Sequence, residues 1–204
     1  MFILVLYPDR LPPVETLGRR ERKKMQTRQA LRQAALRLFL EHGYDNVTVA
    51  QIAEEADTAV TTVFTYFPDG KESLIFDDGV ERAEGLVAAV RNRPPGEAIL
   101  RALRAYLATR GPFATDPSPE LRRTTELIMN TPALRGYQRE LWTRCHDTLA
   151  QAIADASGHD PADMVVRALA RYVLEVPDLA AGEPEPRTAM DAVFDLLETG
   201  WNGP

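Results

Sequence analysis

The sequence predicts an all-α chain in two parts, an N-terminal unit of three short helices followed by a larger bundle of six longer ones. Three observations predict it. Apolar residues recur at helical spacing in most segments. Glycine, proline and capping residues punctuate those segments, closely at first and then at longer intervals. No segment joins strand-like alternation to a hairpin turn. At 204 residues and 45% hydrophobic composition, the chain has enough apolar surface to bury a full core.

Residues 1–18 show no periodicity and contain Pro8, Pro12 and Pro13, so they read as a flexible extension. Met1 to Tyr7 is apolar, but it is short, lacks a basic flank and stops at Pro8, which fits neither a signal peptide nor an anchor. From about Arg20, the residues Leu31, Ala34, Ala35, Leu38 and Phe39 mark one helix face, and Gly43 ends the helix. Thr48 with Gln51 three residues on forms a capping-box pattern, opening a short helix with Val49, Ile52, Ala53 and Ala56. A turn at Asp57-Thr58 leads to a third short helix with Val60, Val63, Phe64 and Phe67, stopped by Pro68. Six helices are expected beyond, over about 71–93, 97–109, 120–130, 132–156, 161–177 and 187–200, with a proline- and acid-rich loop over 177–186. The expected domains are therefore 19–70 and 71–204.

The net charge of −6 argues against nucleic acid as a partner, but its distribution argues the other way. From Arg19 to Arg37, eight basic residues face one acid, a net +7, which leaves −13 for the rest of the chain. That asymmetry fits either an electrostatic footprint at one end or a solvated helix face. The segment Thr48 to Phe67 meets the demands of a helix presented to the major groove: two short helices, a tight turn, an apolar inner side and small polar groups outside. Ile52, Ala53, Val63 and Phe67 are expected to pack inward with Leu38 and Phe39, leaving Ala59, Val60, Thr61, Thr62, Thr65 and Tyr66 outside. Thr62 and Tyr66 can donate to phosphates, Thr48 starts a helix whose N–H groups suit phosphate, and Lys71 adds a cation. The run Arg19, Arg20, Lys23 and Lys24 is expected along the DNA backbone or in a minor groove.

Leu38-Phe39, Gly43-Tyr44, Thr48-Val49, Ile52-Ala53 and Ala56, then Thr62 to Pro68 and Lys71 to Leu74, together resemble the signature of the TetR family of ligand-responsive repressors. The resemblance covers Arg20 to Leu74; beyond it only length and helical layout are similar. There are departures. Asp57 stands where the family usually has glycine, and aspartate tolerates a left-handed backbone better than most residues. Ala59 replaces a frequent capping serine, so Thr58 could cap one residue earlier and shift the reading face. Gly70 reads as a one-residue insertion. The recognition face also lacks Arg, Lys, Asn and Gln, so specificity is expected to lean on apolar contacts of Val60 and Thr61 with thymine methyls and on DNA shape.

The resemblance implies that the second domain binds a small molecule and forms a homodimer through the last two helices. Val165, Leu169 and Tyr172, with Val193, Phe194 and Leu197, are the candidate dimer residues; the alternative is ordinary core. Tyr106, Phe113, Met129, Tyr137 and Trp142 are candidate pocket residues for a lipophilic effector, with core again the alternative. Gly79 and Gly85 on the connecting helix could allow bending or simply close packing. The single Cys145 excludes an intrachain disulfide and fits the cytoplasm. His42, His159 and the adjacent Cys145-His146 lack metal-ligand spacing, no cofactor motif is present, and neighbouring carboxylates such as Glu54-Glu55 read as solvated charge. No apolar run reaches the ~20 residues of a membrane helix. The expectation is a DNA-binding regulator without enzymatic activity, cofactor or metal. The alternative is a helical ligand- or protein-binding module whose degenerate helix-turn-helix no longer grips DNA.

Overall fold

The computed structural model describes residues 18–76 and 79–201; most of the proline-containing extension, together with Asp77 and Asp78, lies outside them. The described residues form α1 (Arg19–His42), α2 (Val49–Glu55), α3 (Val60–Tyr66), α4 (Val80–Arg91), α5 (Ile99–Ala108), α6 (Pro119–Asn130), α7 (Pro132–Thr143), α8 (His146–Ser157), α9 (Met164–Ala180) and α10 (Pro186–Thr199). Short 3-10 turns occupy Tyr44–Asn46, Glu72–Ile75 and Gly111–Phe113, and no strand forms among these residues. The fold is all-α, with a helix-turn-helix head followed by a helical bundle.

Two apolar cores organise the chain. The first gathers Leu31, Ala35 and Phe39 of α1, Ile52 and Ala53 of α2, and Val63 and Phe67 around α3, all nearly inaccessible to water. It continues through Leu74, Ile75 and Phe76 to Ile128, Leu134 and Leu141 on α6 and α7. The second fills the bundle with Leu86, Val90, Leu103, Leu107, Trp142, Leu149, Ile153, Val166, Val173 and Phe194. Arginine–carboxylate pairs tie its outer edges: Arg104 to Asp191 and Asp195, each at 2.7 Å, Arg135 to Asp178 at 2.6 Å, and Arg139 to Glu175 at 2.7 Å. Such pairs lie near the surface, so they fix helix register more than they add stability.

Three expected helices differ from the observed ones. The helix expected over 71–93 is a 3-10 turn followed by a separate α4, because Leu74, Ile75 and Phe76 are all buried and three successive residues cannot share one helix face. Phe76 is extended, and Gly79 starts α4 from a left-handed conformation, φ 80°. The helix expected over 132–156 breaks between α7 and α8, where the Cys145 N–H bonds the Trp142 carbonyl at 3.0 Å in a tighter turn. The helix expected to stop at Pro177 instead runs to Ala180 with Pro177 buried inside it. Proline removes one donor there, but the following turn still closes through the Ala181 N–H to the Pro177 carbonyl, 3.2 Å.

Candidate nucleic-acid interface and effector core

The reading head is built by local chemistry. At the start of α2 the Thr48 side chain accepts from the Gln51 N–H at 3.3 Å, while the Gln51 side chain accepts from the Thr48 N–H at 2.8 Å. Asp57 then takes φ 49°, the left-handed turn conformation usually left to glycine. The Thr58 N–H closes the end of α2 on the Ala53 carbonyl at 2.9 Å. The N-cap of α3 is Ala59, with no side-chain cap, so Thr58 does not shift the helix start as the sequence allowed.

Val63 and Phe67, each 2% exposed, hold α3 against α1 and α2. Ala59, Val60, Thr61 and Thr65 face solvent, while Thr62 and Tyr66 are half-buried on the flank. The Thr65 hydroxyl donates to the Thr61 carbonyl at 2.8 Å. Phe64 is the residue that sequence reasoning missed. Its spacing with Val60, Val63 and Phe67 mimics a buried stripe, yet it is 53% exposed. A two-turn helix covered from one side has room to bury only its innermost residues, and that shortness was the available signal.

The basic segment divides. Arg19, Arg20, Arg22, Lys23 and Lys24 are exposed on the first turns of α1, in helical rather than extended conformation. Arg28 and Arg32 lie over the Phe67 ring, at 5.1 and 5.7 Å, and Arg32 also donates to the Phe76 carbonyl. Arg37 pairs with Glu55 of α2. Lys71, expected at a DNA phosphate, turns inward. Its ammonium donates to the carbonyls of Tyr44 and Val47, at 2.8 and 2.9 Å, and lies 3.8 Å from the Tyr44 ring centre. Burial lowers its pKa, against the opposing pull of Asp45 and Glu72. The neighbouring Gly70, read as an insertion, takes φ 97° just before it.

In the bundle, Tyr106 and Trp142 are brought together around a residue the sequence analysis did not single out, Arg82. This arginine is 1% exposed, lies 4.9 Å over the Trp142 ring and receives the Tyr106 hydroxyl on its carbonyl at 3.2 Å. Its place four residues before Leu86, on the buried stripe of α4, was the signal. The Trp142 Nε1 is buried without a hydrogen-bond partner among the described residues. Phe113 is buried at the far end, its carbonyl receiving Arg187 at 3.0 Å. Met129 packs between both cores. Tyr137 is not in the bundle core: it stacks on Phe76, 5.5 Å between ring centres, and reaches Asp69 at 3.4 Å, so it belongs to the junction with the head. An open cleft of about 740 Å³ lies elsewhere, between α1, α6 and the end of α2, and no candidate pocket residue lines it.

On the outer face of α9, Val165 and Tyr172 are exposed and Leu169 is half-buried; on α10, Val193 and Leu197 are half-buried. Phe194, offered for a dimer contact, is fully buried in the chain's own core and is not available to a partner. Trp201, part of the apolar stripe read from the sequence, is exposed, and Met164, Leu179 and Leu196 extend the exposed apolar surface beyond the residues singled out there. His146 ties α8 to the Arg167 carbonyl of α9 at 3.1 Å. Among the described residues no cluster of His, Cys, Asp or Glu could hold a metal, and no helix is long and apolar enough to cross a membrane.

Comparison with known proteins places these features. Residues 31–77 match the bacterial regulatory proteins of the tetR family, and residues 93–202 match the MftR C-terminal domain. The mycofactocin biosynthesis transcriptional regulator MftR of Mycobacterium tuberculosis is 26% identical over 197 residues, spanning 93% of this chain and 97% of that protein. The HTH-type transcriptional regulator TcmR of Streptomyces glaucescens is 29% identical over 207 residues, covering 92% and 91%. Among solved structures, GusR of Salmonella enterica shares the fold with a TM-score of 0.53 at 20% identity, covering 84% of this chain and 93% of that one. With one family model on the helix-turn-helix and another over more than half of the chain, the protein belongs to the TetR family, ligand-responsive transcriptional repressors that bind DNA and are regulators rather than enzymes.

Proposed function

We propose that this chain acts in the cytoplasm as a homodimer on a two-fold DNA site, repressing transcription until a small lipophilic molecule enters the bundle. The observation that carries the reading is the division of surfaces. Residues 19–70 present the bare α3 face and the basic start of α1, while residues 71–204 leave an apolar stripe on α9 and α10. Two half-sites on DNA call for two heads related by a two-fold axis, and a self-complementary apolar face supplies that symmetry.

In this reading Arg19, Arg20, Lys23 and Lys24, with the N-terminus of α2 at Thr48, hold phosphates, and α3 reads bases. Val165, Leu169, Tyr172, Val193 and Leu197 meet their counterparts on the second copy. Tyr106, Trp142 and Arg82 form the part of the core that an effector rearranges, with Phe113 and Met129 at its margins. The alternative of a binding module with a spent helix-turn-helix draws no support from Asp57, because that residue adopts the turn conformation the motif requires.

The test is the salt dependence of DNA affinity. With four such cations on each protomer, a dimer that neutralises about eight phosphates is expected to show a slope of log K against log salt of about −7. Affinity that does not change with salt, or no affinity, would overturn the reading.

A further inference from the structure

We propose that Phe64, backed by Val60, is the specificity-determining residue of this regulator and reads the C5 methyl group of pyrimidines in the major groove. The inference rests on the placement of α3 in that groove and deepens it.

Hydrogen-bonding readout is poorly served on this helix. Between Thr58 and Phe67 there is no Arg, Lys, Asn, Gln, Asp, Glu or His, so no side chain can make a bidentate contact to a base edge. The polar groups are threonines and Tyr66, and the Thr65 proton is already committed to the Thr61 carbonyl. What the exposed face does offer is apolar. Val60 is 40% and Phe64 53% exposed, while Val63 in the same two turns is 2% exposed. Residues four apart lie one above the other on a helix, so Val60 and Phe64 make one continuous ridge. In the major groove, the apolar mark on a base-pair edge is the methyl group on C5 of thymine. Removing one methyl group from water against such a ridge corresponds to about fourfold in affinity. The ridge recognises the methyl group and not the rest of the base, so 5-methylcytosine offers it the same feature.

The full-length protein is titrated, by fluorescence anisotropy, against the operator recovered by selection and against copies in which single thymidines are replaced by deoxyuridine. The expected result is a loss of about fourfold at one position in each half-site, and about fifteenfold when both symmetric positions are changed. At that position, a cytosine variant is expected to regain about fourfold when it carries 5-methylcytosine. Phe64→Ala should bind thymidine and deoxyuridine operators alike, while Phe64→Leu keeps part of the discrimination and controls for folding. Deoxyuridine operators that all bind like the parent would overturn the proposal alone. So would a Phe64→Ala variant that weakens both operators but still distinguishes them by the full factor. Failure to recover any operator would overturn this proposal and the DNA-site reading together.

Discussion

At the scale of single residues, basic side chains in the head take two different roles, and Lys71 separates them. Its ammonium holds the carbonyls of Tyr44 and Val47, so it is a structural clasp between the α1–α2 connection and the linker. Lys71→Met is expected to cost about 1–3 kcal/mol in urea unfolding, because two carbonyls lose a charged donor, and to leave the salt slope of DNA binding unchanged. Lys24→Ala, on the exposed start of α1, should do the reverse, reducing the slope by about 2, one phosphate contact from each protomer, with no loss of stability. Beside Lys71, burial and the hydrogen bond to Glu72 raise the Tyr44 phenol above its ordinary value of 10.0. A raised folded pKa gives stability that is present below about pH 10 and is lost as pH rises further. The lowered pKa of Lys71 has the opposite sign, since the unfolded chain then holds more protons. Unfolding measured from about pH 9 to 11 should therefore show a shallower alkaline decline in Tyr44→Phe than in the parent protein. The capping box at Thr48 and the turn at Asp57 were legible in the sequence because their partners are three residues away or fewer. The partners of Lys71 lie 24 and 27 residues away, and no local pattern points to them.

At the scale of elements, Gly85 decides how α4 meets α5. A Cβ placed there would lie 2.5 Å from the Tyr106 ring, so glycine permits close contact between the helices rather than bending. Gly85→Ala is expected to destabilise by about 1–3 kcal/mol through overpacking. If bending freedom were its role, alanine would instead stabilise by up to about 1 kcal/mol from helix propensity. A thermal melt gives the sign. The helix starts at the Thr48 capping box and at Pro132 were readable, whereas α9 begins at Met164 behind an Asp163 cap, about three residues beyond the start near Pro161 that the sequence suggested. The break between α7 and α8 was not readable, because Arg144 and Cys145 carry no turn signal; it arises because α7 packs on α6 and α9 while α8 packs on α4 and α9. Pro177 misled in the other direction, since tertiary burial overrides its local preference to end a helix.

At the scale of the whole molecule, the two cores share helices. α7 contributes Leu134 and Leu141 to the head's core and Trp142 to that of the bundle. Tyr137 of the same helix packs on Phe76 of the linker. Under the proposed function, an effector that moves Trp142 would displace the helix that also packs on the Glu72–Ile75 turn, which in turn packs on α1. The division into head and bundle was legible from helix lengths and from the charge asymmetry. The shared core was not, because periodicity shows that a face is apolar but not which neighbour covers it. In the proposed function a two-fold dimer reads DNA through α3. The most direct measurement is selection of tiled genomic fragments by the purified protein at physiological salt, followed by sequencing. A dimer that binds in this way enriches one two-fold-symmetric site. A folded, dimeric protein that enriches no site would contradict it.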